Sequence, residues 1–378
     1  MSIRKIHNIK KFVEIVKNCD VYVGVDVHKN TYSSALLCPE KMVMLVFSTT
    51  NTNSDFVDEL KLLNINIKDI VYEAGPTGFA LAWSCKNSCR VDDLTGEVIP
   101  DPLPVKVISP VLAPQCAAKN NKSDRRDAID LANLATKPID LESCCIAVPT
   151  LHEQNLKELS RLRELAVDSR RKSIQRLKSL LLRYGINFPG ETGIYTKKVG
   201  EILKKIEVPE ILHYIICNYI DMIDYCTKDK DEKKKKLDEE IRKAYKSEKE
   251  ILESIPGVGS VVANTFLSEV FRVTERFTDK DKLAQYCGAA PIIRESGEKS
   301  GKISGYLTSL CNVHIQPILV QAAWTFMRKD EIANNMYIRK ISRGKKSGTA
   351  IMSVVKKLIS LMLSLLKNNR KYELVSIS

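Results

Sequence analysis

The stretch Val21-Tyr22-Val23-Gly24-Val25-Asp26-Val27-His28-Lys29-Asn30-Thr31-Tyr32-Ser33-Ser34-Ala35-Leu36-Leu37-Cys38 decides the fold. Residues Val21–Asp26 read as an apolar strand, Val27–Asn30 as a polar turn, and Thr31–Cys38 as a second strand. A third apolar run, Met42–Phe47, follows closely, so the three predict an antiparallel meander. Asp55–Leu63 then has helical spacing through Phe56, Leu60 and Leu63, and Ile70–Tyr72 is a short strand ending at Glu73. Ala74–Gly78 reads as a turn, Phe79–Cys85 as a helix, Val105–Ile108 as a strand and Asp124–Leu134 as a helix. The order βββαβαβα predicts an α/β domain with a mixed sheet and helices on its faces. Residues 90–104, rich in Asp and Pro, read as a loop inserted before the last strand.

Beyond this domain the pattern turns helical. Leu151–Arg183 carries Leu156, Leu159, Leu162, Leu165, Ile174, Leu177, Leu180 and Leu181 at three- and four-residue steps. Lys228–Leu252, with Leu237, Ile241 and Tyr245, reads as a second long helix, and the pair suggests an antiparallel coiled-coil hairpin. Ile351–Leu366 is strongly amphipathic and predicts a helix of the last domain. Three domains are therefore expected, at 20–150, 151–252 and 253–378.

The chain has 378 residues, 44% of them hydrophobic, which excludes a wholly disordered chain and a disulfide-stapled miniprotein. Its net charge of +13 points to a polyanionic partner. The excess is unevenly placed: residues 1–150 are net −1, residues 151–254 net +4 and residues 255–378 net +10. The run Lys233–Lys236 reads as a solvated helix face. No stretch of about 18 uncharged apolar residues appears, so no membrane span is expected, and lysines 5, 10, 11 and 17 interrupt any signal-peptide run. The expectation is a cytoplasmic protein with reduced cysteines: the 11 present are odd in number and lack zinc-ligand spacing.

Asp26 and Glu73 each end an apolar strand, where charge is costly to bury unpaired. Turn capping accounts for either acid alone. Lys122-Ser123-Asp124-Arg125-Arg126-Asp127 opens a helix, and Ser123, Asp124 and Asp127 suit its N-terminal end. Residues at i and i+3 share a helix face, so Asp124 and Asp127 can both turn toward the strand-end acids. Four converging carboxylates need divalent cations. Two such ions about 3.5–4 Å apart clamp the attacking and leaving oxygens of a phosphoryl transfer, and Mg²⁺ suits all-oxygen ligands.

The set Asp26, Glu73, Asp124 and Asp127, with the stretch Lys122-x-Asp124-Arg125-x-Asp127-Ala128, resembles the DEDD tetrad of the RuvC-like, ribonuclease H-like domain in transposases of the insertion-sequence-110 family, relatives of Piv-type DNA invertases. The resemblance runs over roughly residues 20–370. Ile255-Pro256-Gly257-Val258-Gly259 followed by Val261–Val270 resembles a helix-hairpin-helix element, whose glycines, Gly257 and Gly259, let backbone N–H groups approach a phosphate. A plain helix-connecting turn has the same pattern. Gly288-Ala289-Ala290-Pro291 and Arg294-Glu295-Ser296-Gly297 resemble the segment holding the family's serine nucleophile, which maps onto Ser296, with Ser300 and Ser304 as neighbouring choices. The chain departs from the family in lacking an Arg within Ser309–Ile315 and in its long 90–104 loop.

The resemblance implies a DNA recombinase in which two Mg²⁺ ions are held by the tetrad and Ser296 forms a covalent phosphoserine link to DNA. It implies guidance by a structured bridge RNA that pairs with donor and target DNA, and assembly from dimers into tetramers, through the helical hairpin. Covalent catalysis conserves phosphodiester energy, so strands rejoin without ATP. Nucleic-acid contacts are expected from Lys122, Arg125, Arg126, Gly257, Gly259, Arg294, Lys299, Lys302, Arg339, Lys340, Arg343, Lys345 and Lys346. A prokaryotic-type, nucleoid-associated location follows. A site-specific invertase, a hydrolytic junction nuclease using the same acids, and a non-catalytic nucleic-acid-binding protein are the competing readings.

Overall fold

The computed structural model describes residues 3–50, 53–92, 97–112, 123–190, 193–293, 303–307 and 311–373, the side chains of 291–293 and 303–307 excepted. The chain divides into two compact units, Met1–Leu151 and His152–Ser378.

The first unit runs β1 (Arg4–Ile6), α1 (Ile9–Ile15), β2 (Asp20–Val27), β3 (Tyr32–Cys38), β4 (Val43–Thr49), α2 (Asn53–Leu62), β5 (Asn66–Glu73), α3 (Ala80–Lys86), β6 (Cys89–Val91), β7 (Val98–Pro100), β8 (Val105–Ile108), α4 (Asp124–Ala135), α5 (Pro138–Cys144) and β9 (Cys145–Ile146). Seven strands form one mixed sheet in the order β1-β4-β3-β2-β5-β8-β9. The meander β2-β3-β4 is antiparallel, as its short polar turns require. Strands β2, β5 and β8 run parallel, with Val25 opposite Tyr72 and Glu73 opposite Ile108.

Alternation along the strands sorts side chains to two faces. Val21, Val23, Val25, Ile70 and Tyr72 pack with Phe12, Phe56, Leu60 and Leu81 of α1, α2 and α3. On the opposite face, Val71 and Ile108 pack with Leu131, Ala135 and Leu141, and Ala35, Leu37 and Met44 with Ala128 and Ala132. Helix α4 therefore lies across the middle of the sheet. The strand–helix order of the meander, β5, α3, β8 and α4 agrees with the sequence reading.

Residues 90–104 differ from expectation. They are not a plain loop: β6 and β7 form a hairpin with Arg90 opposite Ile99 and Val91 opposite Val98. The β-branched residues flanking the Asp-rich stretch supply strand-forming positions on both sides. Lys61 pins the base of the hairpin by donating to the backbone carbonyl of Cys89 (3.2 Å) and pairing with the Asp101 carboxylate (3.0 Å).

The second unit is mainly helical: α6 (Leu151–Arg183), α7 (Lys197–Leu203), α8 (Glu210–Ala244), α9 (Lys246–Glu253), α10 (Ser260–Val270), α11 (Val273–Arg276), α12 (Lys280–Tyr286), the hairpin β10 (Pro291–Ile293) and β11 (Ile303–Leu307), then α13 (Gln316–Lys329), α14 (Glu331–Ser342) and α15 (Ser347–Lys367). Helix α6 has the expected limits. The second long helix does not: it starts at Glu210 rather than Lys228 and stops at Ala244, and α9 resumes after Tyr245, whose φ of −139° and ψ of 45° break the helix. Its added N-terminal part buries Leu212, Ile216, Ile220 and Ile223 against Leu177 and Leu181 of α6. Leu156 meets Leu237 and Ile241 at the other end, and Arg170 Nε donates to Thr227 between them at 2.9 Å, so α6 and α8 are antiparallel.

Helix α15 is long and apolar enough to cross a membrane by length and composition alone, a point the sequence reading passed over. Its apolar stripe, including Val354, Val355, Leu358, Ile359 and Met362, is instead buried in the core of this unit with α13. The core accounts for its hydropathy.

Candidate functional site

Gly24 positions the first cluster. A Cβ there would lie 2.2 Å from the Ala128 carbonyl oxygen and 2.2 Å from the Ala132 nitrogen, both backbone atoms of α4. Only the missing side chain lets the helix sit directly on β2. Two residues on, Asp26 faces the same side of the sheet, and the first turn of α4 brings Asp124 above it. Ser123 is the N-cap of α4, although its hydroxyl makes no capping hydrogen bond among the described residues.

His28 joins the two acids. Its Nε2 lies 3.1 Å from Asp26 Oδ2 and 3.5 Å from Asp124 Oδ1. The three residues each offer a ligand atom, all within 4.8 Å of one another. Burial pushes the Asp26 carboxyl above its ordinary range; His28 works against this, and the negative charges of Asp124 and Asp127 add to it. A half-buried carboxylate beside two others is a place where a divalent cation relieves repulsion, and the two-carboxylate, one-imidazole donor set fits such an ion.

Glu73 ends β5, the parallel neighbour of β2, and alternation from Val71 puts it on the α4 face with Asp26. It is exposed and outside the group of ligand-spaced atoms. Asp127 acts on Asp26 through charge but also lies outside that group. The structure thus brings Asp26 and Asp124 together, with Asp127 near enough to act on Asp26 by charge and Glu73 on the same face of the sheet at the end of the neighbouring strand. His28 was missed in the sequence. The signal was present: in a strand continuing past Asp26, i and i+2 share a face.

In the second unit, Gly257 has φ +88° and faces the backbone of α13, where a Cβ would lie 2.6 Å from the Ala322 carbonyl oxygen. That gives Gly257 a packing reason. Gly259, the N-cap of α10, faces open space. Glu269, fully buried in α10, accepts from Arg161 Nε and Nη2 at 2.8 and 3.1 Å and from Asn312 Nδ2 at 2.8 Å. Tyr286 OH donates to the Glu269 carbonyl at 3.1 Å, closing the group.

Arg339 and Lys340 lie in the last turn of α14, and Arg343, Lys345 and Lys346 in the connection to α15; all are exposed save the half-buried Lys340. Among the described residues none of the five makes an ion pair. Lys122, Arg294, Ser296, Lys299, Ser300 and Lys302 lie outside the described residues. Ser304 lies in β11, its side chain outside the description.

Residues 249–338 match the family model described as the Transposase IS116/IS110/IS902 family. The chain is 25% identical over 333 residues to a putative transposase, y4qE, of Sinorhizobium fredii, covering 79% of this chain and 75% of that protein. It is 29% identical over 262 residues to the transposase for insertion sequence element IS1533 of Leptospira borgpetersenii, covering 66% and 69%. It is 24% identical over 231 residues to the transposase for insertion sequence element IS1111A of Coxiella burnetii, covering 60% of each. The matched relatives named here are described as transposases, two of them of insertion sequence elements.

Proposed function

We propose that this chain is a DNA transposase of the insertion-sequence-110 type, cutting and rejoining strands through a RuvC-like carboxylate site and a serine nucleophile. The observation that carries the reading is the meeting of Asp26 and Asp124, from a strand and a helix far apart in sequence, in one cation-sized cluster. The sheet order β4-β3-β2-β5-β8, with the acids at the ends of β2 and β5, supports the ribonuclease H-like assignment of residues 20–150.

Asp26 and Asp124 are the proposed inner ligands, with Glu73 and Asp127 completing the acidic set and His28 as a further ligand. Held by these residues, a divalent cation, Mg²⁺ by this reading and two per site, would polarise the phosphate and stabilise the charge of the transition state. The carboxylates hold it and orient the DNA phosphate. Ser296 supplies the nucleophile: its oxygen forms a bond to phosphorus, the bond from phosphorus to a deoxyribose oxygen breaks, and the serine proton passes to a nearby base or water. Reversal on a second strand end restores the phosphodiester. The domain limits 151–252 and 253–378, a bridge RNA as guide for donor and target DNA, and assembly into dimers and tetramers belong to the same proposal. The basic residues of the α14–α15 connection are its DNA or RNA contacts.

The test is to incubate the full chain with DNA carrying the ends of its element and Mg²⁺, then denature. A protein–DNA adduct that survives denaturation, and is lost in Ser296→Ala and in Asp26→Ala, is expected. Mg²⁺-dependent cleavage with no adduct would replace the serine mechanism with hydrolysis, and normal recombination by Ser296→Ala would remove the serine assignment.

A further inference from the structure

We infer that the cleft between the edge strand β1 and helix α4 is a phosphate-backbone site for a DNA strand passing beside the carboxylate cluster. The inference rests on the transposase reading and gives it a location. The cleft, of about 680 Å³, is lined by Ile3 and Lys5 of the N-terminal segment, Met44 of β4, and Ser123, Arg125, Arg126, Ile129, Asp130 and Asn133 along α4.

Three observations carry it. First, the cleft gathers positive charge in a region with no net excess of it: residues 1–150 are net −1, yet among the described lining residues Lys5, Arg125 and Arg126 stand against one acid, Asp130. Lys5 and Arg125 are both exposed, and among the described residues neither makes an ion pair. Concentrating cations in one cleft attracts a polyanion. Second, the cations come from different parts of the chain. Lys5 is opposite Met44 in the parallel pairing of β1 with β4. Its neighbour Ile6 is buried with the other face of the sheet, so alternation turns Lys5 to the α4 side. Third, the cleft continues the described site. Arg125 and Arg126 directly follow Asp124, so a strand whose phosphates they hold runs along the same helix turn that carries an inner acid. The floor formed by Met44 and Ile129 is apolar, which suits sugar and base faces between phosphate contacts.

A competing role for Lys5 is to guard the open edge of the sheet, since β1 is its terminal strand and an edge lysine discourages pairing with another chain. That role requires no partner in the cleft and no contribution from Arg125.

The experiment is fluorescence anisotropy of a labelled single-stranded DNA oligonucleotide binding the full chain over a range of KCl concentrations. It compares wild type with Lys5→Gln, Arg125→Gln and the double variant, with thermal melts as the check on folding. Each phosphate contact to a single strand contributes about 0.7 to the slope of log affinity against log salt. The expected result is weaker binding by each single variant and a double-variant slope shallower by about 1.4. Wild-type affinity and slope in folded double variant would overturn the inference and leave the transposase reading in place. A wild-type chain that binds no DNA at all would overturn that reading too. An RNA oligonucleotide of the same sequence that binds more tightly than the DNA, and loses as much in the double variant, would overturn the assignment to DNA.

Discussion

The α-carbon of Gly24 faces the carbonyl of Ala128 so closely that a methyl group on it would come within 2.2 Å of that oxygen. This contact sets the depth at which α4 crosses β2, and with it the meeting of Asp26 and Asp124.

Gly24→Ala should therefore act on the site from a distance. Backbone atoms cannot yield as a flexible side chain does, so α4 must lift from the sheet. A loss of at least about 1–3 kcal/mol of stability is expected from such overpacking, with weaker Mn²⁺ binding in whatever protein remains folded. Urea unfolding and a Mn²⁺ titration on the same preparation check both parts.

His28→Ala removes the one nitrogen donor from the cluster while leaving both inner carboxylates. Imidazole favours Mn²⁺ over Mg²⁺ more than carboxylate does. Mn²⁺ affinity should fall by roughly 10- to 100-fold, the scale seen when groups around metal ligands are removed, with a smaller change for Mg²⁺. Calorimetric titration with each ion measures the difference.

Arg161 makes a bidentate contact to Glu269, which is wholly buried. Arg161→Met leaves that carboxylate with Asn312 as its side-chain partner. A loss of roughly 3–5 kcal/mol is expected, and the double replacement with Glu269→Met should recover much of it, because removing both charges avoids the unpaired one. Denaturant melts of the single and double variants are the check.

Asp238 gives a pH dependence. Burial pushes its carboxyl up, but hydrogen bonds from Lys249, Ser260, Asn264 and Arg242 outweigh this and hold it well below the ordinary carboxylate range. Lys249 itself is buried, with Glu253 3.0 Å away as its other acidic partner. A carboxyl lowered in the folded state contributes stability above its unfolded pKa of about 4, and loses it as pH falls through its folded value. Asp238→Asn should be less stable than wild type at pH 7, and the gap should narrow below about pH 4. Urea midpoints across that range test the sign.

Much of the first unit was legible because its strands announce themselves by apolar runs between polar turns, and because Val105–Ile108 and Asp124–Leu134 have clean boundaries. The β6–β7 hairpin was not: its strands are three residues each, too short for alternation to register beside three prolines and several acids. The start of α8 was hidden for a different reason. Its lysine run drew the boundary to Lys228, while Leu212, Ile216 and Ile220 belong to a helix face defined by a partner, α6, that comes thirty residues earlier in the chain. At the site, Asp26 and Asp124 were readable from where they sit in their elements. His28, two residues past Asp26, could have been found by the same alternation, whereas Lys5 becomes a candidate only when β1 is paired with β4.

The central claim is that Asp26 and Asp124 together hold a divalent cation. Electron paramagnetic resonance of Mn²⁺ titrated into the full chain tests it most directly, comparing wild type with Asp26→Asn and Asp124→Asn. The account predicts saturable binding in wild type that either substitution abolishes while the protein stays folded. Undiminished Mn²⁺ binding in both folded variants would contradict it.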